Sequence, residues 1–128
     1  MRPTSVIPLE DIVIAVYAAM DDALKHSGIE CRNGKLIARP GNWPAVDDRE
    51  ILCLCLLQEL LGFESDNAYC TWLAANPTMR ALFPRQLSRQ NFADRRVLLT
   101  PLLEKLCGAF CALAGEGAPP FSLLTAIP

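Results

Sequence analysis

The residues best equipped to recognise a partner are arginines gathered in one stretch. Between Asn76 and Thr100 stand Arg80, Arg85, Arg89, Arg95 and Arg96 against a single acid, Asp94, so this stretch has a formal charge of +4. The whole chain carries −2, which leaves −6 for the rest. A guanidinium meets a phosphate or a guanine edge with two parallel hydrogen bonds, and the neighbouring Gln90 and Asn91 carry amides suited to adenine. Ser88 is placed to cap a helix, which puts Arg89, Gln90 and Asn91 in its first turn. A shorter helical segment, Thr78 to Phe83, precedes it, so the order is that of a helix-turn-helix contacting DNA. The plain alternative is a solvated helix face with local salt bridges to Asp94. Were all five arginines on phosphates, log affinity would fall with log salt at a slope of about −4 to −5. The overall negative charge argues against coating nucleic acid along the whole surface.

Other reactive side chains do not assemble. The six cysteines, Cys31, Cys53, Cys55, Cys70, Cys107 and Cys111, contain no Cys-x-x-Cys pair, and the sole His26 lies remote from them in sequence. A zinc site is therefore rejected in favour of thiols packed like small apolar side chains. A disulfide framework belongs to a secreted chain, and Met1 to Glu10, with Pro3, Pro8 and the acids that follow, is not a signal segment. A reducing cytoplasm is the expected location. A Cys–His nucleophile lacks its orienting group. The pairs Asp21-Asp22 and Asp47-Asp48 are adjacent, so each pair points to different helix faces, and they read as solubility and capping. The glycines fall at turns and helix ends, without a phosphate loop. No catalytic residue, metal or cofactor is expected.

Several helices must position the arginines. Ile12, Val13, Val16, Tyr17, Met20 and Leu24 recur at helical spacing between Leu9 and His26, with Gly28 as a left-handed stop. Asp47 and Glu50 form a capping signal for a run from Ile51 to Leu61 that is apolar on nearly every side and belongs at the centre. Gly62 ends it, Phe63 packs back, and Ser65 or Asp66 caps a third helix ending at Asn76-Pro77, with Tyr69, Trp72 and Leu73 inward. The short segment Thr78 to Phe83 stops at Pro84, and a long helix runs from Ser88 to Ala114, closed by Gly115 and kinked or broken near Thr100 by Pro101. Asn33-Gly34 could close a small hairpin. The 128 residues suit one core, and no apolar stretch is long enough to span a membrane. The fold class is all-α, a compact bundle of about five helices with a helix-turn-helix-like segment and a short extended tail from Pro119 to Pro128.

The order of these features resembles the N-terminal helical region of DDE-class insertion-sequence transposases. The resemblance is carried by Asp47 to Ser65, then Ala68-Tyr69, Trp72-Leu73, Leu82-Phe83-Pro84, Ser88 to Phe92 and Arg95-Arg96, and it covers roughly Leu9 to Leu106. In that family a ribonuclease-H-like core follows, whose first strand carries a metal-binding Asp. The corresponding strand here would be Phe121 to Pro128, with Thr125 at the acid's position, and a neutral hydroxyl cannot replace a carboxylate on paired divalent cations. The resemblance implies a helical domain over residues 1–118 and a remnant strand over 119–128, a truncated and non-catalytic product. Its implied partners are transposon-end DNA, an intact transposase or a second copy of itself. The other outcome is a structural or protein-interaction domain without DNA affinity.

Overall fold

The computed structural model describes residues 7–85 and 87–113, with 107–113 described in backbone only. Five helices follow in order: α1 Leu9–His26, α2 Asp48–Leu61, α3 Asp66–Ala75, α4 Pro77–Leu82 and α5 Arg89–Leu113. They form an all-α bundle, and no strand occurs among the described residues. The expected extended tail, Thr125, Cys107, Cys111 as side chains and the Gly115 stop lie outside the described residues.

Helix α2 is the central rod. From Ile51 to Gln58 every side chain is buried, because α1 and α5 both pack against it. Its start is a true capping box: Asp47 accepts from the Arg49 N–H while Glu50 reaches back to the Asp47 N–H. Its end is a left-handed turn at Gly62, φ 79°, with the Phe63 N–H returned to the Gln58 carbonyl. Helix α1 closes in the same way, through Gly28 and the Ile29 N–H bonded to the Leu24 carbonyl. It buries Val13, Val16, Met20, Ala23 and Leu24.

Helix α3 begins at Ser65, whose hydroxyl accepts from the Ala68 N–H. Of its three aromatic and aliphatic candidates only Tyr69 is fully buried, its hydroxyl donating to the Leu54 carbonyl at 2.6 Å, while Trp72 and Leu73 are half-buried. Phe63, Tyr69, Trp72 and Phe92 make one aromatic cluster that seats α3 against α5, with ring centres 5.1 to 6.1 Å apart. Asn76 ends α3 and caps α4, and Ser88 caps α5 through the Asn91 N–H. Helix α5 runs through Pro101 without a break. Proline removes one ladder hydrogen bond there, but Leu99 and Leu106 remain buried on either side and hold the helix to the core.

The expected hairpin reduces to a single antiparallel bridge between Arg32 and Lys35, around Asn33 and Gly34, both at positive φ. The segment 27–47 is otherwise irregular, and it is tied to the bundle by the side chains of Asp48 and Arg95 and by the buried Leu36 and Val46.

Candidate nucleic-acid interface

The basic stretch divides into two groups. Arg80 on α4, Arg85 in the turn, and Arg89, Gln90 and Asn91 in the first turn of α5 are all exposed. None of the three arginines pairs with a carboxylate among the described residues. Arg80 and Arg85 border the same apolar pocket, whose wall includes Cys70 of α3. Arg89 follows as the first residue of α5. Gln90 donates to Asp94 at 2.9 Å, so its amide is already engaged. Asp94 thus holds a glutamine, and the local arginine pairing expected of it does not form.

Arg95 and Arg96 turn the other way. Arg95 is mostly buried, and its Nη2 donates to Asp48 Oδ1 and to the Val46 carbonyl. Arg96 is 38% exposed and donates to Asp66 Oδ2 at 2.6 Å. The Nε atoms of both are buried without a partner. These two guanidiniums join α5 to α2 and α3, and the Nη2 atom of each is already committed to a carboxylate.

Asp48 is the residue that sequence reading placed wrongly, as a capping or solubility acid. It is completely buried, and it collects both Nη atoms of Arg39, Nη2 of Arg95 and the Leu36 N–H. Burial alone would raise its carboxyl pKa, but the hydrogen bonds from Arg39, Arg95 and the Leu36 backbone outweigh that and hold it below the usual carboxylate range. Its neighbour Asp47 does cap α2, and also accepts from Arg49 and, weakly, from the Cys31 thiol. Asp66 is held low by Gln58 first and by Arg96 as well.

Among the described residues no three His, Cys, Asp or Glu side chains converge so that they could hold a metal ion. Cys53 and Cys55 sit in the core of α2, where burial pushes both thiols up to about 12, so neither is a thiolate nucleophile near neutral pH. No described helix is long and apolar enough to cross a membrane. Comparison of the chain with protein-family models, with curated proteins and with solved structures finds no match.

Proposed function

We propose that the chain is a helical accessory domain that holds DNA by its phosphates through Arg80, Arg85 and Arg89, without carrying out strand chemistry of its own. The observation behind this reading is the division of the arginines: three exposed guanidiniums without acid partners stand around the entry to α5, beside a Ser88-capped first turn. The resemblance of the sequence to the front region of insertion-sequence transposases points the same way, toward transposon-end DNA. Arg95 and Arg96 are left out of the contact because each already pairs with an aspartate, Arg95 sharing Asp48 with Arg39.

The commitment of those two arginines favours a second reading, a structural or protein-interaction domain descended from a transposase gene, with no DNA affinity. Salt dependence separates the two. Three phosphate contacts give a slope of log affinity against log salt of about −3, shallower than the five-arginine value of about −4 to −5. Fluorescence anisotropy with a labelled mixed-sequence duplex should give that slope, and Arg80→Ala, Arg85→Ala and Arg89→Ala together should abolish binding. Arg95→Ala should leave the slope unchanged. Absence of binding by the folded protein at low salt would leave only the second reading.

A further inference from the structure

Two surfaces of opposite character lie side by side. On α1, Ile14 is 53% exposed. Glu10 and Asp11 stand four and three residues before it, hence on the same face, and neither has a salt bridge among the described residues. This is one aliphatic side chain beside two unpaired carboxylates. Across α4 is the pocket between α3, α4 and the start of α5, lined by apolar side chains that include Leu54, Leu73, Met79 and Phe92, with Arg80 and Arg85 as its charged members and no acid. Its volume is about 60 Å³. A dry cavity of about 150 Å³ accepts a benzene ring, so this pocket is too small for a nucleobase.

We propose that the chain forms a two-fold dimer in which Ile14 of each copy enters the other's pocket, while Glu10 and Asp11 meet Arg80 and Arg85. The occupant is a second copy because the chain itself carries the complementary chemistry: an exposed aliphatic residue flanked by acids, and an apolar pocket flanked by arginines. Phe83 lines the pocket on one side and packs beside Ile14, Val13 and Tyr17 on the other. Donor and acceptor surfaces are therefore neighbours on one molecule, and a two-fold axis near α4 brings both pairs together at once. An apolar anchor ringed by charge pairs is the arrangement that concentrates binding energy at interfaces.

Phosphates and partner carboxylates would compete for Arg80 and Arg85, but the dimer does not rest on the DNA reading. Glu10→Arg with Asp11→Arg removes the dimer contact and leaves every DNA-contacting arginine in place. Sedimentation velocity over a concentration series should show twice the monomer mass. Ile14→Asp should weaken dimerisation by about 100-fold. The acid-reversed protein (Glu10→Arg, Asp11→Arg) and an arginine-reversed protein (Arg80→Glu, Arg85→Glu) should each sediment as monomers, and their mixture should form a heterodimer because both charge pairs are restored. Circular dichroism of each variant verifies the fold. A wild-type monomer at every concentration overturns the proposal, as does a dimer that survives Ile14→Asp or a mixture that stays monomeric.

Discussion

Asp48 shows how one side chain decides what a cluster of charges can do. It pairs with Arg95, which the sequence offers as a DNA contact, and with Arg39, which sequence reading did not single out. An isolated buried carboxylate would cost several kcal/mol, so the stable arrangement draws in two guanidiniums and a backbone N–H. Replacing it by asparagine keeps the shape and strands both arginines, and Asp48→Asn should lose about 3–5 kcal/mol at neutral pH. The sign with pH follows from its depressed pKa. Above the unfolded value, about 3.9, the wild-type carboxylate contributes fully, and the contribution fades as pH falls through the lower folded value. Urea-unfolding curves of wild type and variant should therefore lie well apart near neutrality and converge in acid. Curves separated by the same amount at all pH values would remove the ion cluster as the cause. The sequence carried no local signal for this role, because the apolar run begins only at Ile51 and the arginine partners of Asp48 lie 9 and 47 residues away.

Helices were legible where local chemistry and burial agree. The capping box at Asp47, the glycine stops at Gly28 and Gly62 and the Ser65 and Ser88 caps all stand as their residue types require. Legibility ended where tertiary packing overrides local preference. Pro101 marks a break in the pattern, yet α5 continues because apolar side chains on both sides are held by α2. Trp72 and Leu73 share the periodicity of Tyr69, but only Tyr69 reaches the α2 backbone. The arginines had the same ambiguity: spacing gathers five in one stretch, whereas the direction of Arg96 and Arg95 depends on acids 30 and 47 residues away. Segment 27–47 is the least readable element, since beyond a single bridge its path is set by distant partners and by an indole. The Trp43 ring lies over Gly34, where an added Cβ would sit 2.5 Å from Nε1, and Gly34 is at φ 75°. Gly28 has a similar φ of 71° but open space around it. Both alanine replacements incur backbone strain of about 1 kcal/mol or more, and Gly34→Ala adds a ring clash. Thermal unfolding should therefore rank Gly34→Ala well below Gly28→Ala. Equal losses would mean that the indole yields without cost.

At the scale of the whole molecule, the irregular segment and the bundle are expected to unfold together. The Leu36 N–H and the Arg39 guanidinium bind Asp48 at the head of α2, and the Gly34 carbonyl accepts from the Asp48 N–H. Arg95 closes the arrangement by reaching the same carboxylate from α5 and the Val46 carbonyl as well. Opening the segment therefore strips partners from a fully buried charge, so the bundle cannot keep its core while the segment leaves. The protein has two tryptophans, Trp43 in the irregular segment and Trp72 on α3. In a Trp72→Phe variant, fluorescence reports the segment alone, while far-ultraviolet circular dichroism reports the helices. A two-state domain requires the two signals to trace one transition with one midpoint. If fluorescence moves at lower denaturant than ellipticity, the segment is a separate, weaker unit and Asp48 does not couple it to the bundle. Coincident curves that split apart in Arg95→Ala would assign the coupling to the guanidinium that crosses from α5.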